Sequence, residues 1–168
     1  MEQSYQTLIS QLLDAAKTAG ASGADAMLAR GQSTSVSVRH GKVESSERSE
    51  DFDIGLRVFV GQQTASISTS QLDPDNIKEL AARAVAMAKL APEDPHVGLA
   101  TADQLAQHIP KLEIFDPAIP DADSLRHRAS NAEAAALAVH SITKSDGGNA
   151  GYGVVDVLIA TSNGFSAG

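Results

Sequence analysis

Hydrophobic residues recur every three or four positions over the first twenty residues of the chain. The positions concerned are Tyr5, Leu8, Ile9, Leu12, Ala16 and Ala19. This spacing places one apolar stripe along one face of a helix, and Gly20 is a natural end for it. The pattern predicts an amphipathic helix that packs on a sheet.

The period changes to two between Ala24 and Thr69, as in strands with one buried face. The alternating residues are Val36 and Val38, then Val43, then Ile54, Leu56, Val58 and Val60, then Ala65 and Ile67. Glycine-containing pairs at 31–32, 40–41 and 61–62 separate these runs, and glycine readily adopts the positive φ of a tight reversal. The region predicts antiparallel hairpins that turn at Gly31-Gln32, His40-Gly41 and Gly61-Gln62.

A second helix is predicted from its start signals and its apolar stripe. Asp73 is the predicted cap, and Pro74 suits the first helical turn. The stripe consists of Ile77, Leu80, Ala81, Ala84, Met87, Ala88 and Ala91. Because these side chains are mostly small, they indicate a helix that approaches its neighbours closely.

The segment 92–123 contains five of the six prolines, which prevents long regular elements. It predicts an extended connector with a single turn of helix near Thr101 to His108. The expected organisation is a helix, meandering strands and a helix in 1–91, the connector in 92–123, and a helix with closing strands in 124–168.

The last part of the chain predicts a third helix and a buried final strand. The helix is expected from Ser124 to Val139, capped by Asp123 or Ser124. Its predicted apolar face is Leu125, Ala129, Ala132, Ala136 and Val139. A hairpin turn at 145–149 then joins the residues 142–144 to a strand at 154–160, whose nearly continuous apolar run is typical of a strand covered on both faces.

These elements predict an α/β fold of the α+β kind, with a largely antiparallel or mixed sheet packed by about three helices. The final apolar strand needs a covering layer. If no layer within this chain covers it, we expect the chain to be the first part of a longer protein.

Composition and charge narrow the classes of function. The chain of 168 residues has a net charge of −8 and only 4% aromatic residues, which disfavours direct nucleic-acid binding. Cysteine is absent, so disulfides and thiolate chemistry are excluded. Neither a signal peptide nor a long apolar span is apparent, and we expect a soluble, cytoplasmic protein without membrane contact.

The sequence offers no catalytic, cofactor-binding or metal-binding residues. The five histidines, His40, His96, His108, His127 and His140, have no spacing that would join two on one helix face. A Gly-x-Ser-x-Gly elbow is also lacking. The glycine-rich segment 147–151 resembles a phosphate loop only loosely, and a hairpin turn is the preferred interpretation. Strand addition of a peptide to the hydroxyl-rich strands 33–37 and 64–70 stays open.

A series of short motifs resembles a known family. These are Gly23-Ala24-Asp25-Ala26, Ser35 to Glu44, Ile54-Gly55-Leu56-Arg57-Val58, Ala65 to Leu72, Ala86 to Lys89, Pro92-Glu93-Asp94-Pro95, Leu112 to Pro117 and Thr161 to Phe165. Together they resemble the N-terminal domain of the TldD/PmbA family, historically described as modulators of DNA gyrase. The segments 92–95 and 112–117 favour the PmbA, or TldE, side of that family. The resemblance also implies that a larger C-terminal domain follows, and that this domain or further sheet covers the final strand.

The resemblance implies a bacterial or archaeal cytosolic protein that forms a heterodimeric metallopeptidase with a TldD-like partner. In this family zinc belongs to a His-Glu-x-x-x-His helix of the TldD subunit, and the complex trims unfolded peptides, matures microcins and degrades antitoxins. No catalytic or metal residue carries over to this chain, so the domain alone is expected to be inactive.

Two other functions are weighed against this one. The first is a binding module that modulates gyrase through protein contact without proteolysis, which the acidic charge permits. The second is a self-contained hydrolase, which the lack of a catalytic constellation disfavours. Arg57 alternates with core residues, and a solvated strand face is preferred for it over a ligand contact. Gly55 is predicted to mark a close backbone approach inside a strand.

Overall fold

The computed structural model describes residues 2–71, 73 and 76–168. Its elements in chain order are α1 (Glu2–Thr18), β1 (Gly23–Arg39), β2 (Lys42–Val60), β3 (Gln63–Thr69), α2 (Ile77–Ala88), α3 (Ala122–Leu137), β4 (Gly148–Thr161) and β5 (Ser166–Ala167). The strands form one sheet in the order β3-β2-β1-β4-β5. The α+β fold, with an antiparallel sheet and three helices, confirms the predicted class.

The first strand is longer than predicted. A reversal was expected at Gly31-Gln32, but β1 runs through both residues, so that prediction is wrong. Gly31 does not adopt a positive φ, whereas His40 and Gly41 do, at 51° and 71°. Two successive positive φ values give the two-residue turn that matches the twist of antiparallel strands. The predicted reversals at His40-Gly41 and Gly61-Gln62 are confirmed, with Gly61 at a φ of 60°.

The second strand contains two apolar segments that the sequence pattern predicted as separate strands. Val43 and Ile54 both lie in β2, because the charged residues between them stay extended. Only the later part of β2 pairs with β3, from Ile54 opposite Thr69 to Val60 opposite Gln63. The connector between α2 and α3 contains neither helix nor strand, as predicted, although the expected helical turn is a simple turn in which Gln104 N donates to Thr101 O.

The chain divides into two compact units. Unit 1 comprises residues 1–30, 51–111 and 156–168, and unit 2 comprises residues 31–50 and 112–155. The strands β1, β2 and β4 contribute residues to both units.

Unit 1 contains the larger hydrophobic core. It buries the predicted stripe of α1 and one face of β2 against α2, with many side chains wholly hidden from solvent. Its most deeply buried members are Ile9, Leu12, Ala16, Ala24, Ala26, Ile54, Leu56, Val58, Ala81, Ala84 and Ala88. Alanine at these helix positions permits close packing, because no longer side chain holds the elements apart.

The second helix differs from its prediction at the start and on one face. It begins at Ile77 with Asn76 as N-cap, in place of the predicted cap Asp73, and the Asn76 side chain makes no capping hydrogen bond. The carbonyl of Asp73 instead accepts a hydrogen bond from Asn76 N. The predicted role of Pro74 lies outside the described residues. Met87 is exposed, and Val85 takes a place in the core instead.

Unit 2 has a small core under α3. Leu125 and Ala129 pack on Val36 and Val38 of β1, with Ala150 of β4 beside them. The helix is capped by Asp121, whose carboxylate accepts a hydrogen bond from Ser124 N at 2.8 Å, so the predicted caps were wrong by two and three residues.

The predicted apolar face of α3 is confirmed only over its first half. Leu125 and Ala129 are buried, whereas Ala132, Ala136 and Val139 are exposed. Glu133 occupies the buried position on the next turn. A carboxylate thus takes the place that the pattern assigned to small apolar side chains.

The closing strand is covered on one face only. Leu158 and Ala160 pack on the core of unit 1, but Val155, Val157 and Ile159 on the other face are 63%, 40% and 38% exposed. Within the described residues the second face has no covering layer, and the expectation that another part of a longer protein covers it stays a prediction. The predicted hairpin before β4 is also wrong, because residues 142–147 form no strand and instead lead from α3 into β4.

Candidate functional site

The histidines predicted to be unrelated to a site lie in different local settings. His40 lies in the β1–β2 turn, His96 and His108 in the connector, His127 on α3, and His140 beyond its end. Across residues 2–71, 73 and 76–168, no group of three or more His, Cys, Asp or Glu side chains is arranged to hold a metal ion. In that same part of the chain, no helix is both long and apolar enough to cross a bilayer.

The glycines at 147 and 148 serve packing. Gly147 has a φ of +107°, and a Cβ on it would meet the carbonyl oxygen of Val38. A Cβ on Gly148 would overlap the carbonyl oxygen of Ala129 and crowd Glu133 N. The chain also runs on from these glycines into β4 rather than into a helix, so the helix N-terminus of a phosphate-binding loop does not follow them. Both the phosphate-loop and the hairpin interpretations give way to close approach of three backbone segments.

Glu133 fixes the β1–β2 turn. Its carboxylate accepts hydrogen bonds from His40 N at 2.8 Å and from Gly41 N at 3.0 Å, and the side chain is almost fully buried. These backbone donors, Gly41 foremost, lower the pKa of Glu133 by stabilising its charged form. We call this arrangement the Glu133 latch. The sequence could not reveal it, because more than ninety residues separate the partners.

On unit 1, Arg57 confirms its predicted position outside the core. Its Nε and Nη2 donate to Asp25 Oδ2 at 2.9 and 2.6 Å, and its guanidinium lies 5.3 Å from the ring centroid of Phe59. The arginine is thus held by its own neighbours. Gly55 was predicted to mark a close backbone approach, but a Cβ there would meet nothing within 4 Å, so that prediction is wrong.

A concave site occurs in unit 2. Residues 32–34 of β1, 46–48 of β2, 119–122 and Tyr152 of β4 enclose a cleft of about 440 Å³. We call it the polar cleft, because hydroxyl, amide and charged side chains of the strands form its floor. Its volume lies within the range of about 300–1,000 Å³ that is usual for ligand sites. Ile119 and Pro120 give one wall an apolar surface.

Hydrogen bonds brace the wall and the rim of the cleft. The hydroxyl of Tyr152 donates to the carbonyl oxygen of Asp116 at 3.4 Å, which joins the connector to β4. Arg48 forms an ion pair with Glu50, with 2.6 Å between Nη2 and Oε1. The bonds that Ser124 makes with Asp121 lower the pKa of that carboxyl, so Asp121 is charged at neutral pH.

The chain has clear relatives. The family model described as "PmbA/TldA metallopeptidase domain 1" matches residues 24–88. A metalloprotease PmbA homolog of Haemophilus influenzae is 36% identical over 136 residues, which covers 81% of this chain and 30% of that protein. Metalloprotease PmbA of Escherichia coli O157:H7 is 35% identical over 135 residues, again with 30% of its length covered.

The chain belongs to the TldD/PmbA family. The segment that the family model matches covers β1, β2, β3 and α2. Several of the motifs that resemble the family lie in this segment. The chain spans about a third of the length of the curated PmbA relatives it matches.

Solved structures show the same fold as this TldD/PmbA family member. A proposed modulator of DNA gyrase from Bacteroides thetaiotaomicron superposes with a TM-score of 0.87 at 21% identity, covering 96% of this chain and 37% of that one. TldE from Thermococcus kodakarensis gives a TM-score of 0.77 at 15% identity, covering 95% and 36%. At these identities the likeness concerns the fold alone.

Proposed function

We propose that this chain is the first, non-catalytic domain of a PmbA/TldE-like subunit that works in the cytoplasm with a TldD-like partner as a zinc peptidase for unfolded peptides. The observation that carries the proposal is the 36% and 35% identity to proteins named metalloprotease PmbA. The fold shared with TldE supports a place on the PmbA side of the pair.

Among residues 2–71, 73 and 76–168, no group of side chains fits a zinc site. Zinc in peptidases takes three nitrogen, sulfur or carboxylate ligands that converge on one point. The five histidines belong to no such group in the part of the chain that the structure describes, and Glu133 accepts hydrogen bonds from backbone donors at the β1–β2 turn. The proposal therefore assigns zinc to the TldD-like partner and derives no chemical step from this chain.

The open face of β4 supports a role within a larger assembly. Val155, Val157 and Ile159 leave β-branched apolar surface accessible on one strand. Exposed apolar patches of this kind mark surfaces that proteins cover with other protein. In the proposal, this domain supplies shape and contact surface, while the catalytic groups come from elsewhere in the complex.

Reconstitution tests the proposal. The full-length protein is mixed with its TldD-like partner, and cleavage of an unfolded, fluorescently quenched peptide is followed with and without a zinc chelator. We expect cleavage only when both subunits and zinc are present. A partner with its zinc-binding histidine replaced by alanine serves as the control. Equal cleavage by the full-length protein alone would overturn the assignment of catalysis to the partner.

A second candidate is a modulator of DNA gyrase that acts by binding without proteolysis. The structural neighbour from Bacteroides thetaiotaomicron, described in those terms, favours it. Direct binding of the full-length protein to purified gyrase, unchanged when the partner's zinc site is disabled, would favour this function. Absence of gyrase binding together with zinc-dependent cleavage would favour the peptidase.

A further inference from the structure

The polar cleft of unit 2 is lined by polar side chains that take no part in the hydrophobic core. Val36 and Val38 on one face of β1 are buried under α3, but the same face continues with polar residues at Thr34 and Gln32. This polar stretch of the strand face does not simply meet open solvent. Here residues 119–122 rise beside it and enclose the cleft.

Strand register places three of these side chains in one row. Ser37 and Ser45 share a hydrogen bond of 2.8 Å between their hydroxyls, which makes them neighbours on adjacent strands. Counting from that pair along antiparallel strands puts Thr34 opposite Arg48.

The third member of the row comes from β4. A Cβ on Gly151 would lie 3.6 Å from Ser35 Cβ, and a Cβ on Gly153 would lie 4.0 Å from Ser33 Cβ. Tyr152 between them is therefore opposite Thr34. The floor thus presents a guanidinium, a hydroxyl and a phenol side by side across three strands.

This chemistry suits the backbone of an extended polypeptide. Hydroxyl and amide side chains such as Thr34, Ser46 and Gln32 can both donate to peptide carbonyls and accept from peptide N–H groups. The exposed side chain of Ile119, with Pro120 and the ring of Tyr152, offers an apolar surface for one side chain of the bound segment.

The charges around the cleft indicate which peptides it accepts. Carboxylates of Glu47 and Asp121 line it, and the guanidinium of Arg48 is already paired with Glu50. Acidic side chains would meet the like charges of Glu47 and Asp121 there, whereas for basic side chains the like charge of Arg48 is offset by its pairing with Glu50.

We propose that the polar cleft binds an extended, non-acidic peptide segment with one apolar side chain, and so holds polypeptide substrate on the non-catalytic subunit. The inference builds on the proposed peptidase function, to which it adds a substrate-binding site in unit 2. If the inference holds, the full-length protein binds the peptide in the absence of its partner and does not cleave it.

Binding is measured by fluorescence anisotropy with three labelled nonapeptides of glycine, serine and threonine. The first has a central leucine, the second a central serine, and the third the same leucine flanked by two aspartates. We expect the first to bind most tightly. Thr34→Trp, which fills the middle of the floor, should weaken its binding at least about tenfold, equivalent to about 1.4 kcal/mol. Ser35→Trp, on the opposite face of the same strand, is the matched control and should bind normally.

A second variant keeps the test decisive if Thr34→Trp fails to fold. Ile119→Ala changes a side chain that is 71% exposed, so it should not disturb the core. It should weaken binding of the leucine peptide about three- to tenfold and leave the serine peptide unaffected, because only an apolar contact is removed. Equal binding of all three peptides, or binding that neither Thr34→Trp nor Ile119→Ala alters, would overturn the inference.

The same variants separate this inference from the proposed function. If the reconstituted pair with Thr34→Trp cleaves the leucine peptide with an unchanged KM, the cleft is not a substrate site, while the peptidase function stands. If the unmodified protein binds the peptide but the pair never cleaves it, the peptidase proposal fails and the cleft stands as a peptide-binding site.

Discussion

Sixteen of the described residues form the buried hydrophobic core of unit 1, whereas four form that of unit 2. Unit 2 is instead organised by directional contacts. Glu133 accepts from the β1–β2 turn, Asp121 caps α3, and Gly147 and Gly148 let backbone segments touch. Apolar packing tolerates small shifts, but hydrogen bonds and glycine contacts depend on position. One sheet thus carries a region stabilised mainly by apolar burial and another stabilised mainly by hydrogen bonds and close backbone contacts.

The largest expected effect comes from opening a cavity in the core of unit 1. Leu12→Ala removes a fully buried side chain and should lower the free energy of unfolding by about 2–5 kcal/mol. Urea denaturation followed by circular dichroism measures it. Leu90→Ala is the control, because that leucine is 88% exposed and should change stability by less than about 0.5 kcal/mol. Equal effects of both would contradict the burial-based account of unit 1.

In unit 2, adding a single methyl group at a glycine contact should lower stability. Gly148→Ala forces a Cβ into backbone atoms of α3 and should cost about 1–3 kcal/mol, since backbone cannot move aside as a side chain can. Gly55→Ala, where a Cβ meets nothing within 4 Å, is the matched control. Hydrogen exchange should show loosening in unit 2 and unchanged protection in unit 1. A uniform loss of protection would argue against separate modes of stabilisation.

A smaller effect is expected from acid, through the Glu133 latch. The folded pKa of this carboxyl is below its ordinary value of 4.5, so its stabilising contribution is present above that value. The contribution is lost as the pH falls through the folded pKa. Amide exchange at His40 and Gly41 should therefore rise in acid relative to the intrinsic rate. In Glu133→Gln the two amides should be less protected at neutral pH and should lose that pH dependence.

The smallest effect is expected on the open face of β4. Val157→Thr keeps the β-branched shape and should change the free energy of unfolding by less than about 0.5 kcal/mol, because the side chain is already 40% exposed. Leu158→Ala on the covered face should cost more, since that side chain packs on the core of unit 1. Equal costs would mean that the two faces of the strand are not distinct.

Much of unit 1 could be predicted from the sequence because its packing follows the period of each element. Ile9, Leu12 and Ala16 fall on one helical face and are buried as expected. The alternation of Ile54, Leu56 and Val58 likewise identified a strand with one buried face. Such patterns work where burial alone decides which way a side chain points.

The features of unit 2 that the sequence did not predict are those that depend on polar contacts. Residues 31–35 contain no apolar side chain, so nothing in the period showed that β1 continues through Gly31. A glutamate on a helix normally faces water, and the hydrogen bonds from the distant turn at 40–41 help to explain why Glu133 is buried. The polar cleft was missed for a related reason: its floor resembles a solvated strand face until residues 119–122 are placed beside it.

The shape of β4 has a consequence for handling the protein. Its pairing with β5 involves only Ile159 and Ala160, so within the described chain the preceding residues of that edge have no strand beyond them. An edge of this length that also carries Val155 and Val157 can template a copy of itself. Concentrated solutions of the isolated chain should consequently form β-rich oligomers, and a single lysine on that edge should keep the chain monomeric.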